Sequence, residues 1–165
     1  MANLGGEPTV AGTDVWLTPP ELLAKLGTFD LDPCAPVDSP WDTALNHFTI
    51  ENDGLKQDWF GRVWLNPPYG RGMDLWLNKL AKHAGGGLAL VFARTETKTF
   101  FETVWGRADA ILFIKGRIRF HLPTGEKAGT AGSPSVLIAY GEAEKEALRN
   151  CSIEGFFIDL KRKGD

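Results

Sequence analysis

The sequence predicts an α/β fold in which helices cover both faces of a mostly parallel central sheet. Predicted strands and helices alternate along the chain, and the predicted strands are apolar without the in-out alternation of a half-exposed sheet. The 165 residues, 43% hydrophobic and 24% charged, suit one compact domain with an ordinary core. We expect this single domain over residues 14–165 and a flexible tail over residues 1–13.

The first predicted element is a helix with Thr18 as its N-cap, Glu21 placed for a capping box and Gly27 at its end. A Gly- and Thr-rich stretch over 123–134 predicts a mobile loop. The other predicted elements are a strand over 29–32, a short helix from Ser39 toward His47, a turn at 52–54, a strand over 62–65, a helix over about 73–84, a strand over 88–92, a helix around 97–105 and strands over 110–114, 117–121, 135–140 and 155–160.

Charge is unevenly distributed along the chain. The net charge is −3, but residues 1–60 carry 2 basic and 10 acidic side chains, whereas residues 61–127 carry 11 basic and 5 acidic ones. This asymmetry fits a protein that holds a cationic small molecule in one part and a phosphate backbone in another.

Several classes of protein are disfavoured by the sequence. No apolar run approaches the roughly 18 residues of a membrane span, and no secretory signal is visible, so we expect a cytoplasmic protein without a membrane partner. Cys34 and Cys151 lie far apart without CxxC spacing, and the three histidines have no shared spacing. We therefore expect neither a metal site nor a disulfide framework.

Four residues that follow a predicted strand indicate the chemistry: Asn66, Pro67, Pro68 and Tyr69. Ligands of parallel sheets bind at the carboxyl ends of strands. Methylation of an aromatic amine requires acceptors for the amine hydrogens, since its lone pair is delocalised into the ring. The Asn66 side-chain oxygen and the Pro67 carbonyl can accept them, and Tyr69 offers a ring on which an extruded base can stack. The alternative is that these residues mark only a turn.

The chain resembles the phage DNA N-6-adenine methyltransferase (Dam) family over about residues 14–140. The segments that carry the resemblance are WLTPP at 16–20, FDLDPCA at 29–35, NDGL at 52–55, DW at 58–59, NPPY at 66–69 and GRIRF at 116–120. The resemblance implies a Rossmann-like methyltransferase fold with an antiparallel strand toward the C-terminus. It also implies S-adenosylmethionine as the cofactor, double-stranded DNA as the partner, and methyl transfer to the 6-amino group of a flipped-out adenine.

The resemblance further implies where the cofactor binds. The matching positions are Trp16, Thr18, Pro19, Asp32, Pro33, Cys34 and Ala35. A carboxylate at a strand end, here Asp32, suits the cationic amino group of the methionine moiety. Asp53 or Asp58 would contact the adenosine part, and the sequence leaves both open. The interval from Asp32 to Asn66 is too short for two full strand-helix units, so the cofactor-binding subdomain is expected to be abbreviated.

Basic residues are expected on the DNA side. Arg117 and Arg119 alternate on a predicted strand, so both should point to one face, where they could contact phosphate or a groove edge. The alternative is a solvated strand face. The basic candidates are Arg71, Arg94, Lys98, Arg117 and Arg119 as DNA contacts, with Lys79 and Lys115 nearby. The aromatic residues expected in the core are Phe100, Phe101, Trp105 and Phe113.

Other functions remain as alternatives to DNA adenine methylation. A cysteine after a proline, as in Pro33-Cys34, occurs in cytosine 5-methyltransferases as a nucleophile. Because an amine is itself the nucleophile in the NPPY chemistry, we expect Cys34 only to line the pocket. The same chemistry on a cytosine 4-amino group, on RNA or on protein glutamine remains open, as does a non-catalytic DNA-binding protein of this fold. The sequence indicates neither a recognition site nor an oligomeric state.

Overall fold

A seven-stranded sheet organises residues 16–161, the part of the chain that the computed structural model describes. The tail expected over residues 1–13 lies outside the described residues. The strands are β1 (Leu31–Asp32), β2 (Asn46–His47), β3 (Val63–Leu65), β4 (Gly87–Phe92), β5 (Ala110–Ile114), β6 (Arg119–His121), β7 (Lys127–Thr130), β8 (Ser135–Tyr140) and β9 (Gly155–Asp159).

The main sheet has the strand order β2-β1-β3-β4-β8-β5-β9. Neighbouring strands from β2 to β4 are parallel, whereas β8 is antiparallel to both β4 and β5, and β9 is antiparallel to β5. Five of the seven strands therefore point in one direction. This confirms the expected mostly parallel sheet and the antiparallel pairing toward the C-terminus. Strands β6 and β7 form a separate hairpin.

Helices cover both faces of the sheet. They are α1 (Pro20–Ala24), α2 (Met73–Lys82), α3 (Lys98–Phe100), which continues as a π-helical turn over Phe101–Trp105, and α4 (Glu142–Asn150). Strand β4 is buried throughout and alternates between two core layers. Leu88 and Leu90 pack with α1, α4 and the β6–β7 hairpin, while Ala89 and Val91 pack with α2 and α3. The apolar strands without alternation are thus explained by burial on both faces.

Two predictions near the N-terminal part of the sheet are wrong. The helix expected from Ser39 does not form, because Asn46 and Phe48 donate backbone hydrogen bonds to Asp30 and Asp32 and thereby form β2 beside β1. Thr18 does not cap α1, which begins after Pro19 without a side-chain cap. Between β1 and β3 the described chain forms only the two residues of β2, in agreement with an abbreviated subdomain.

Two predictions in the second half also need correction, and one helix there was not predicted. The loop expected over 123–134 contains β7, which pairs with β6. The helix α4 was not expected from the sequence; it follows Gly141, whose φ of 108° suits glycine. Phe101, expected in the core, is 61% exposed, whereas Phe100 is buried.

Candidate active site

The carboxyl ends of β1 and β3 form the centre of the candidate site. Because these strands are parallel neighbours, Asp32 at the end of β1 and Asn66 directly after β3 lie at one edge of the sheet. Both line a narrow crevice, here called the Thr18 crevice. Its walls are Trp16, Leu17, Thr18, Asp32, Cys34, Pro36, Ser39, Trp41, Thr43 and Asn66. The structure thus gathers four of the cofactor positions and Asn66 from segments far apart in sequence.

Asn66 is buried, with 4% of its surface exposed. Its side-chain nitrogen Nδ2 donates a hydrogen bond to the Thr18 hydroxyl oxygen at 3.2 Å. A carboxamide that is held through its nitrogen has its oxygen at the other end. The bond to Thr18 therefore determines where the hydrogen-bond-accepting oxygen of Asn66 lies. Pro67 is also buried, and Pro68 is half-buried.

Asp32 is held by two donors at the base of the crevice. Its Oδ1 accepts from the backbone N–H of Cys34 at 3.0 Å, and its Oδ2 accepts from the hydroxyl of Thr43 at 2.5 Å. Burial raises the pKa of this carboxyl above its usual range, while the two hydrogen bonds act in the opposite direction. A buried carboxylate of this kind is suited to pair with a cationic group.

A cavity of about 340 Å³ adjoins the crevice through Cys34; we call it the Trp76 cavity. Its lining residues are Pro33, Cys34, Ala35, Thr49, Ile50, Asp53, Gly54, Pro68 and Trp76. A β-carbon at Gly54 would lie 2.0 Å from the carbonyl oxygen of Pro33, so only glycine lets this turn approach β1. That approach brings Asp53 to the cavity, whereas Asp58 is exposed and lies outside its lining.

A second cavity of about 390 Å³, the Arg94 cavity, is lined by Tyr69, Gly70, Met73, Phe92, Arg94, Thr97, Thr99 and Phe100. The Tyr69 and Phe92 rings lie 4.5 Å apart between centroids at 33°. The Tyr69 hydroxyl oxygen accepts a hydrogen bond from the Phe92 backbone N–H. Burial raises the pKa of Tyr69 far above its usual value, so its phenol stays neutral. The NPPY segment (residues 66–69) therefore borders both cavities, through Pro68 and through Tyr69.

The five predicted DNA contacts are exposed: Arg71, Arg94, Lys98, Arg117 and Arg119. The strand expected over 117–121 begins only at Arg119, so Arg117 lies just outside it. Arg117 and Arg119 are nevertheless both exposed, whereas Ile118 and Phe120 are buried. Lys79 and Lys115 have other partners. Lys79 Nζ donates to the carbonyls of Leu55 and Gln57 at 2.7 and 2.5 Å, and Lys115 pairs with Glu154 at 2.5 Å.

The family comparison agrees with this geometry. The model of the DNA N-6-adenine-methyltransferase (Dam) family matches residues 7–154, which is most of the chain. The chain belongs to this family. No curated protein and no solved structure gives a significant match.

In this Dam-family protein the β6–β7 hairpin is attached directly to the Thr18 crevice. Leu17 and His121 exchange two backbone hydrogen bonds of 2.8 and 3.0 Å. The indole nitrogen of Trp41 donates to the Thr18 carbonyl at 3.1 Å, and its ring meets the His121 ring edge-on at 5.0 Å. These contacts link the β6–β7 hairpin, which carries Arg119, to Thr18, which accepts the hydrogen bond from Asn66.

Sequence reasoning assigned no functional role to several residues that line the candidate site, among them Trp41, Thr43, Trp76 and Phe92. Trp41 and Thr43 lie in the segment that was expected to be helical. Because that helix does not form, the sequence did not predict that their side chains line the crevice. Trp76 lies within the helix predicted over about 73–84 and Phe92 at the end of the strand predicted over 88–92, and neither position signals a cavity wall. A signal for Phe92 was available, since it is the last residue of β4 and such positions face the ligand-binding edge.

The remaining expectations concern ions, membranes and Cys34. Within residues 16–161 no three His, Cys, Asp or Glu side chains cluster so as to hold a metal ion. In the same range no helix is long and apolar enough to cross a membrane. Burial raises the pKa of the Cys34 thiol, and the nearby Asp32 acts in the same direction. Both effects favour the neutral thiol over the thiolate that a nucleophile requires.

Proposed function

We propose that this Dam-family protein transfers a methyl group from S-adenosylmethionine to the exocyclic 6-amino group of adenine in double-stranded DNA. The observation that carries the proposal is the position of the NPPY segment (residues 66–69). It borders two cavities, one lined by the carboxylate of Asp53 and one by an arginine and aromatic rings. A group-transfer enzyme needs this arrangement, with donor and acceptor held on either side of the groups that align them.

The donor is assigned to the Trp76 cavity and the adjoining Thr18 crevice. Apolar walls such as Ile50 and Trp76 suit a purine ring, and Asp53 can accept from ribose hydroxyls. Asp32 in the crevice suits the ammonium group of the methionine moiety. The sheet order supports the same assignment, because β8 inserts antiparallel between two parallel strands, as in a Rossmann-like methyltransferase fold.

The acceptor base is assigned to the Arg94 cavity. An adenine in a duplex cannot reach the sheet edge, so it must be extruded, and the paired rings of Tyr69 and Phe92 offer a surface for it to stack. Arg94 at this cavity, together with the exposed Arg71, Lys98, Arg117 and Arg119, would contact the phosphate backbone.

The chemistry assigned to the chain is alignment and charge stabilisation. The donor supplies an electrophilic methyl group on a sulfonium. The Asn66 side-chain oxygen and the Pro67 carbonyl accept the two amine hydrogens and so favour a nitrogen whose lone pair points at that methyl group. The nitrogen–carbon bond forms as the sulfur–carbon bond breaks. The methylated amine then loses one proton to solvent, and a neutral Tyr69 need not take part as a base.

The test is methyl transfer from radiolabelled S-adenosylmethionine to unmethylated duplex DNA, followed by nucleoside digestion. We expect 6-methyladenine from the wild type and a loss of about 100-fold or more in Asn66→Ala, the scale observed when one stabilising hydrogen-bonding group is removed. Asn150→Ala, at the exposed end of α4, is the matched control and should keep the wild-type rate.

The product identifies the acceptor. Label in 4-methylcytosine, or transfer only to RNA or to protein glutamine, would replace the acceptor while leaving the donor assignment in place. DNA affinity without donor binding or turnover would identify a non-catalytic member of the fold and overturn the proposal.

A further inference from the structure

A carboxamide is chemically asymmetric, and this matters for Asn66. Its oxygen accepts hydrogen bonds and its nitrogen donates them, so a rotation of 180° about the last side-chain bond replaces an acceptor with a donor. A donor facing the hydrogens of an amine would repel them. Because Asn66 is 4% exposed, bulk water cannot select the rotation, and the protein must do so.

Thr18, 48 positions earlier in the chain, accepts a hydrogen bond from the nitrogen end of Asn66. Its hydroxyl oxygen accepts from Nδ2 at 3.2 Å, and Thr18 is itself 4% exposed. Both groups are therefore removed from competing water. In the structure this hydroxyl acts as the acceptor, so the contact holds Nδ2 toward Thr18 and places Oδ1 at the opposite end of the carboxamide.

Thr18 is itself held firmly by its neighbours. Its carbonyl accepts from the Trp41 indole nitrogen at 3.1 Å. The preceding residue, Leu17, is fixed to His121 by two backbone hydrogen bonds of 2.8 and 3.0 Å. Pro19 follows and restricts the backbone of Thr18 to extended conformations. A side chain held in this way can act as a fixed reference for a mobile amide.

From these contacts we propose that Thr18 is a positioning residue for methyl transfer: its hydroxyl sets the rotation of the Asn66 carboxamide, so that the oxygen is the end presented to the acceptor amine. The inference rests on the proposed function. It differs from the cofactor contact that the family resemblance implies for Thr18, because a donor contact affects donor binding, whereas a positioning role affects the rate of transfer from the bound state.

The first experiment separates these two roles in the full-length chain. Thr18→Val keeps the shape of the side chain and removes the hydroxyl, and Thr18→Ser keeps the hydroxyl. We expect Thr18→Val to lower kcat by about 10-fold, the scale of one hydrogen bond, with the donor Kd changed by no more than about twofold. Thr18→Ser should recover most of the lost rate. Thr28→Val, an exposed site that follows the α1 turn, serves as the matched control.

The second experiment makes the site symmetric. Asn66→Asp replaces the amide with two equivalent oxygens, so rotation no longer exchanges an acceptor for a donor. In that background Thr18→Val should lower kcat by a clearly smaller factor than in the wild type, which a double-mutant cycle measures directly. If Asn66→Asp is itself too slow to measure, the comparison of Thr18→Val with Thr18→Ser decides the question.

The inference is overturned if Thr18→Val keeps the wild-type kcat, or if its loss resides entirely in the donor Kd. A Thr18→Val loss that is equal in the wild type and in the Asn66→Asp background overturns it as well. A wild-type protein that methylates no DNA contradicts the proposed function, and this inference with it. That outcome is distinguishable because it is seen before any variant is made.

Discussion

The two cavities beside the NPPY segment (residues 66–69) differ in charge and in how the chain builds them. The Trp76 cavity takes most of its walls from two short stretches of the acidic N-terminal region, 33–35 and 49–54, and its charged side chain is Asp53. The Arg94 cavity takes its walls from the loops after β3 and β4 and from α3, within the basic region, and its charged side chain is Arg94.

Under the proposed function, this difference accounts for the charge asymmetry along the chain. A cationic sulfonium compound and a polyanion are attracted to opposite fields, and parallel strands let neighbouring segments of opposite charge meet at one sheet edge. We therefore expect donor affinity and DNA affinity to depend on different cavities. Substitutions in the Trp76 cavity should change donor affinity and leave DNA affinity alone, and substitutions in the Arg94 cavity should do the reverse.

The largest separable effect is expected at Tyr69. In Tyr69→Ala the stacking surface is lost, which should lower kcat/KM for DNA by about 10- to 100-fold, since stacking of one base on an aromatic ring contributes about 1–3 kcal/mol. The donor Kd should stay within about twofold of the wild type. Steady-state kinetics on a short duplex and calorimetric titration with the donor measure the two quantities.

Tyr69→Phe is the matched variant for this prediction. It keeps the ring beside Phe92 and removes only the hydroxyl that accepts the Phe92 N–H, so its loss should be much smaller than that of the alanine variant. Equal losses in both variants would show that the hydroxyl contact, and not stacking, matters at this position.

The choice between Asp53 and Asp58 gives the next largest effect. Asp53→Asn should weaken donor binding by about 10-fold, because hydrogen bonds to a charged group contribute about 1.5–3 kcal/mol. Asn tolerates the positive φ of 53° at this position, so the turn should survive. Asp58→Asn, outside the cavity lining, should bind the donor as the wild type does. The reverse ranking would place the adenosine moiety elsewhere and contradict the separation of the two cavities.

The two cavities also differ in how far the sequence predicts them. In the Trp76 cavity, Pro33, Cys34, Ala35 and Asp53 are positions that the family resemblance implies, and Pro68 belongs to the NPPY segment that follows a predicted strand. In the Arg94 cavity only Tyr69 and Arg94 were assigned to function. Phe92 and Phe100 carry the same apolar pattern whether they face a core or a cavity, so sequence does not distinguish the two cases.

Element prediction succeeded where burial on two faces dominates and failed where tertiary pairing overrides local signals. The strand expected over 110–114 coincides with β5, and α2 ends within two residues of its prediction. The helix predicted from Ser39-Pro40 does not form because β2 pairs with β1, and this pairing depends on contacts between residues 16 positions apart. The placement of Thr18 against Asn66 is likewise a tertiary contact that neither segment encodes alone.

A pH-dependent effect of intermediate size is expected at Asp32. Burial raises its folded-state pKa, so the stability it contributes to the unliganded protein is present below the usual value of about 3.9 and is lost as pH rises through the raised pKa. A bound ammonium group prefers the carboxylate, so donor affinity should rise several-fold over the same pH range, with an upper limit of about 10-fold per pH unit.

Asp32→Asn removes the titrating group and should flatten that pH dependence, while Asp58→Asn should keep it. The measurement is the donor Kd, determined by titration calorimetry from about pH 5 upward, where the folded state is generally retained. A wild-type Kd that does not change with pH, or an unchanged slope in Asp32→Asn, would remove Asp32 from the ammonium site.

A smaller effect is expected from Arg119 in the β6–β7 hairpin and from Arg117 just before it. If Arg117 and Arg119 each neutralise one phosphate, their replacement by Gln should reduce the slope of log Kd against log salt by roughly 0.9 per contact and weaken DNA binding a few-fold. Lys115→Gln is the control, because Lys115 is already paired with Glu154. Donor affinity should not change in any of these variants. An unchanged salt slope would assign the two arginines to a solvated face.

The smallest effect is expected at Cys34, although it lines both the Trp76 cavity and the Thr18 crevice. Burial and Asp32 raise the pKa of its thiol and keep it neutral, and the acceptor amine supplies the nucleophile, so the chemistry requires no covalent bond to the protein. Cys34→Ala should therefore retain methyl transfer within a few-fold, its loss being that of a small contact with the donor, and Cys151→Ala is the matched control. Denaturing mass spectrometry of the reaction should detect no protein–DNA adduct. Complete loss of transfer in a folded Cys34→Ala that binds the donor normally would make the thiol the nucleophile and would move the reaction from an amino group to a ring carbon.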